Sequence, residues 1–66
     1  MKSNLKKIRE SRGLTQAELA NKTGVNLRLI QHYEQMTKNI NKAAVDTVIK
    51  LAQGLNCKVA EILNSN

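Results

Sequence analysis

Gly24 does most to limit the folds open to this chain. It lies inside ELANKTGVNLRLI, residues 18–30, where apolar residues recur at helical spacing on both sides of it. An uninterrupted helix would carry this glycine in its interior, at a cost of about 1 kcal/mol relative to alanine. Glycine reaches positive φ cheaply, so the pattern predicts a sharp turn at Gly24 between two helices. Asn26 stands where a helix N-cap belongs, and a helix follows over about residues 27–35 with Val25 tucked under the turn. Two helices joined by a tight glycine turn form a helix-turn-helix, here over about residues 15–35.

Local signals divide the rest of the chain into three more helices. The first covers about residues 4–11, with Ser3 as N-cap, Leu5 and Ile8 one turn apart, and Arg12-Gly13 ending it. The second helix begins at a capping box, Thr15 with Glu18, flanked by Leu14 and Leu19 as a hydrophobic staple. Ala17, Leu19 and Ala20 are expected to face inward, and Thr23 to close the helix. After the polar loop QMTKNIN, Asn41 is expected to cap a fourth helix over about residues 42–55, with Ile40 and Val45 as a second staple. Its inner face would be Ala44, Val48, Leu51, Ala52 and Leu55, and either Gly54 or Asn56 would end it. A short fifth helix, residues 59–63, would close the core with Val59, Ile62 and Leu63. The expected fold is all-α, with five helices in one domain over residues 1–66.

A 66-residue chain has room for one small core, since a domain of this size buries only about 60% of the surface it exposes when unfolded. Hydrophobic residues make up 41% and proline is absent, which suits a compact helical fold rather than a disordered tail. There is no apolar run of about 18 residues to span a membrane. MKSNLKKIRE has basic residues but no apolar block behind them, so it does not read as a signal peptide, and a cytoplasmic location is expected. Cys57 has no second cysteine to pair with, and one Cys with one His32 makes no metal cluster. Set among apolar residues, Cys57 reads as a small core side chain. No nucleophile with a base, carboxylate pair or phosphate-cradling glycine loop is evident, so neither catalysis nor a cofactor, metal or small-molecule ligand is expected.

The net charge of +6 points to a polyanionic partner. Tyr33 is the single aromatic residue, too few for the stacking platforms that bind single strands, so duplex DNA is the better candidate. Rotation of about 100° per residue sorts the third helix. Ile30 and Tyr33 fall on one side with Asn26 and Glu34; Arg28, His32 and Gln35 fall opposite, with Gln31 beside them. Such a polar stripe can bond to base edges, although a merely solvated face has the same pattern.

LKKIRESRGLTQAELANKTGVNLRLIQHYE resembles the signature of the Cro/C1-type helix-turn-helix family, the XRE family of bacterial and phage regulators. Gln16, Ala20, Gly24, Val25, Ile30 and Glu34 fall at its spacing. INKAAVDTVIKLAQGLNCKVAEIL resembles its last two helices. The resemblance implies a lambda-repressor-like domain that binds double-stranded DNA and regulates transcription, as a repressor occupying an operator. It places the helix from Leu27 in the major groove, with Leu27, Arg28 and His32 at base-contacting positions and Gln31 beside them. Arg28 would bond guanine O6 and N7, and Leu27 would pack on a thymine methyl. Gln16 matches a phosphate-contacting and helix-orienting residue, Lys38 and Lys42 match backbone contacts, and Arg9 and Glu34 match an ion pair. Lys2, Lys6 and Lys7 would supply general field.

Two departures stand out. Met36 occupies a position where the family often has glycine, and Lys58 replaces the usual Ser, Thr or Asp before the last helix. A homodimer formed on DNA is expected, its interface around residues 55–63, with no membrane partner. Three other readings are an antitoxin or phage-type switch component with a protein partner, a basic helical interaction module, and a small enzyme, the last disfavoured because every titratable candidate reads as exposed or paired.

Overall fold

The computed structural model describes residues 3–64; Lys2 lies outside them. Five α-helices follow in order: α1 (Asn4–Ser11), α2 (Gln16–Thr23), α3 (Leu27–Glu34), α4 (Val45–Leu55) and α5 (Val59–Ile62). No strand occurs among the described residues, and the fold is all-α.

The first three helices start where a short polar side chain can accept a free backbone N–H. Ser3 Oγ accepts from Lys6 N–H at 3.0 Å. Thr15 and Glu18 complete a capping box: Thr15 N–H donates to Glu18 Oε1 at 2.8 Å and Glu18 N–H to Thr15 Oγ1 at 3.0 Å. Accepting the Thr15 N–H, more than the hydroxyl contact, lowers the Glu18 pKa below the ordinary carboxylate range. That contribution is present above the unfolded-state pKa and is lost as the pH falls through the lower folded value. Asn26 Oδ1 accepts from Arg28 N–H at 2.8 Å and Leu29 N–H at 3.4 Å.

Helices α2, α3 and α4 end on left-handed residues. Gly24, at φ 76°, donates its N–H to Ala20 O at 2.8 Å and turns the chain from α2 into α3. With nothing within 4 Å of a Cβ built there, the demand for glycine is one of backbone conformation. Asn56, at φ 54°, ends α4, and Gly54 lies inside that helix. Met36 ends α3 at φ 62°: its N–H reaches Tyr33 O and Thr37 N–H reaches His32 O at 3.0 Å, a Schellman closure. A left-handed methionine is strained, which gives the family's glycine here a physical reason. Met36→Gly is expected to raise stability by about 0.5–1 kcal/mol, the relief of strain exceeding glycine's entropy cost. Urea denaturation checks this, and a loss of stability would mean that the Met36 side chain holds the loop.

The start of α4 differs from the sequence expectation. A 3-10 turn, Ile40–Lys42, forms first, capped by Asn39, whose Oδ1 accepts from Asn41 N–H at 2.9 Å. It drops Ile40 into the core at 1% exposure, and the extended Ala43 then resets the helical phase. Helix α4 therefore begins at Val45 behind Ala44, which has no side-chain cap bond. Val45 is 71% exposed, so the staple with Ile40 does not form. Ala43 is half-buried and Ala44 exposed, reversing the expected inner residue. Asn41 is not the cap; it exchanges two bonds with the Asn64 backbone, at 2.8 and 2.9 Å. Ala17 is exposed as well, and α2 buries Leu19 with Ala20 half-buried behind it.

Leu5, Leu19, Ile30, Ile40, Leu51, Leu55 and Ile62 fill the centre, all at 1% exposure or less. Helix α4 packs on α2 and α5. Gly54 is where α4 meets α2, and a Cβ there would collide with Thr23 Cγ2. Thr23 cannot rotate away freely, because its hydroxyl donates to Leu19 O at 2.7 Å and accepts from Val25 N–H at 3.2 Å. Gly54→Ala is expected to cost about 1–3 kcal/mol by overpacking. Thr23→Ser, which deletes the obstructing methyl, should recover most of that loss in thermal denaturation. An equal loss in both backgrounds would place the cause elsewhere.

The segment expected to form the dimer interface, residues 55–63, turns its apolar side chains inward: Leu55 and Ile62 are buried, and Cys57, Val59 and Leu63 pack against the core. Burial, ahead of the nearby Glu61 charge, raises the Cys57 pKa, which favours the protonated thiol. Among the described residues, the large apolar side chains left exposed are Leu27, Met36, Val45 and Ile49.

Candidate nucleic-acid interface

A buried polar junction sets the angle of α3. Arg9 of α1 meets Glu34 at the end of α3 in a two-pronged pair, Nε to Oε2 at 2.7 Å and Nη2 to Oε1 at 2.9 Å. Both side chains are nearly buried. Glu34, through that hydrogen bond foremost, raises the Arg9 pKa. The third arm, Nη1, donates to Leu14 O at 2.7 Å, between α1 and α2. Gln16, the first residue of α2, donates Nε2 to Glu34 Oε1 at 3.0 Å. One carboxylate thus joins α1, α2 and α3, and such bidentate geometry fixes orientation as well as distance. Gln16 is half-buried here, its amide partly committed to this junction.

Helix α3 buries Ile30, Tyr33 and Glu34 and turns its other side outward. Arg28 is exposed, with no hydrogen bond or ion pair to its guanidinium among the described residues. Leu27 is 38% exposed at the same end, a partial commitment to the surface. Gln31 and His32 are half-buried along the flank. Arg28 and His32 come together with Asn26, Leu29 and Lys38 around one shallow, open depression. Lys38 is carried there by the loop after α3, whose N–H groups at residues 37 and 38 fold back onto His32 O. Lys42 is exposed and ends the 3-10 turn, rather than opening α4. Gln16 borders a separate open depression with Lys6, Arg9 and Thr15.

Two contacts escaped sequence reasoning. Arg12 Nε donates to Leu55 O at 2.9 Å, so this cation caps the end of α4. Thr37 Oγ1 lies 2.8 Å from His32 Nδ1. The available signal was Met36: reading it as the left-handed closing residue of α3 would have brought Thr37 back over His32.

A family model described as Helix-turn-helix, that of the Cro/C1-type, matches residues 5–62. The chain belongs to the Cro/C1-type helix-turn-helix family. No curated protein and no solved structure matches it significantly. As a Cro/C1-type domain it is a DNA-binding domain of the XRE class of transcription regulators. Among the described residues no helix is long and apolar enough to cross a membrane, and no three His, Cys, Asp or Glu side chains cluster as metal ligands.

Proposed function

We propose that this protein is a sequence-specific transcriptional repressor that occupies an operator by inserting α3 into the major groove. The observation that carries the reading is α3 itself: Ile30, Tyr33 and Glu34 are locked inward while Arg28 stands exposed and unpaired beside His32. Arg28, Leu27, Gln31 and His32 read base edges, and Gln16, Lys38 and Lys42 hold phosphates. Two copies bind a two-fold symmetric site and pair only on DNA. Exposed large apolar side chains are few among the described residues, whereas a stable interface needs about 1,200–2,000 Å². Operator occupancy places the protein's work in the cytoplasm.

Selection of bound duplexes from a random library tests the proposal. A repeated half-site with centre-to-centre spacing of about 10 base pairs, or a multiple of it, is expected. Recovery of no preferred sequence, with binding that simply fades in salt, would leave a basic interaction module instead.

A further inference from the structure

We infer that Thr37 is a positioning residue which fixes the nitrogen that His32 turns toward DNA, so that His32 reads the amino group of adenine or cytosine. The inference rests on α3 being the groove helix. Met36 turns the chain back along α3, and Thr37 N–H returns to His32 O at 3.0 Å. The Thr37 hydroxyl then lies 2.8 Å from His32 Nδ1 and 3.2 Å from His32 O.

A threonine hydroxyl has one proton to donate. His32 O, which also takes the N–H groups of Thr37 and Lys38, can only accept, and the 3.2 Å hydroxyl contact with it puts that proton on the carbonyl. The contact with Nδ1 is then completed by a proton on the ring. Were the ring proton on Nε2, Thr37's single proton would serve Nδ1, and Oγ1 would face His32 O with no proton between the two oxygens. In a neutral ring, both contacts are satisfied together only by the Nδ1–H tautomer, which leaves a lone pair on Nε2. Which nitrogen is protonated follows from the bond the other one makes.

In the major groove, adenine N6 and cytosine N4 donate, whereas guanine O6 and N7 and thymine O4 accept. An Nε2 lone pair therefore suits adenine or cytosine. A histidine without this tie can swap tautomers and accept either class of edge. Thr37 removes that freedom.

The test compares wild type, Thr37→Ser and Thr37→Val at pH 8. Side-chain nitrogen NMR of the free proteins should show a protonated, pyrrole-like Nδ1 and a pyridine-like Nε2 in wild type and Thr37→Ser. Thr37→Val should lose that pattern. Selection from random duplexes should give adenine or cytosine at the His32 position for the first two proteins. In Thr37→Val that preference should fall by roughly two- to tenfold, the worth of one hydrogen bond. A protonated Nε2 in wild type, or an unchanged base preference in Thr37→Val, would overturn the inference. Absence of any preferred sequence for wild type, with the NMR pattern intact, would instead remove α3 as the reader and the base assignment with it.

Discussion

Glu34→Ala is expected to destabilise the fold by about 3–5 kcal/mol, the usual consequence of leaving one half of a buried ion pair uncompensated. Arg9 would keep its charge at 8% exposure with Leu14 O and the neighbouring Glu10 charge in place of its two-pronged partner, and Gln16 would lose its acceptor. A domain of this size has about 3–10 kcal/mol of stability in all, so a large fraction of the variant would be unfolded at ambient temperature. Arg9→Ala should also destabilise strongly, and the double variant by clearly less than the sum. The coupling energy should exceed roughly 0.5 kcal/mol in urea denaturation of all four proteins. Strict additivity would mean that the pair adds nothing to the placement of α3.

Arg28→Ala should leave stability nearly unchanged, since its side chain is exposed and unpaired, yet have a large effect on binding. A bidentate bond to a guanine edge discriminates by about 1–3 kcal/mol, so selectivity should relax at one or two base pairs of the preferred site. Lys42→Ala should behave differently. A phosphate contact carries no sequence information, so the loss should be equal on every duplex. The slope of log affinity against log salt should flatten by about one unit. Single-base variants of the selected duplex, titrated at several salt concentrations, separate the two patterns.

The parts of the fold legible in sequence are those whose cause is local. Thr15 and Glu18 are three residues apart, Asn26 caps its own helix, and Gly24 needs only its own φ; each signal is complete within one turn. The start of α4 is not legible in the sequence, because Asn41 can cap a helix in isolation. Its actual partner, Asn64, lies 23 residues along the chain. Gly54 and Asn56 are equally good terminators by local pattern, and Asn56 is the one that ends α4. The reason for a glycine at Gly54 is Thr23 on another helix, which no local pattern reveals.

The candidate site divides the same way. Rotation about α3 was enough to separate Arg28 from Ile30 and Tyr33, because helical phase is a local property. The tie between His32 and Thr37 required knowing that Met36 is left-handed, which methionine rarely signals. Gln16 was expected at phosphate and as an orienting residue. Its bond to Glu34 is a tertiary contact, visible only once α2 and α3 are in place.

The most direct test of α3 as the reader is the ratio of affinities for the selected duplex and a scrambled one. It should be measured for wild type and Arg28→Ala at matched salt. Wild type should favour the selected duplex strongly, and the ratio should collapse in Arg28→Ala while affinity for the scrambled duplex changes little. Equal losses on both duplexes, with the ratio intact, would contradict the account.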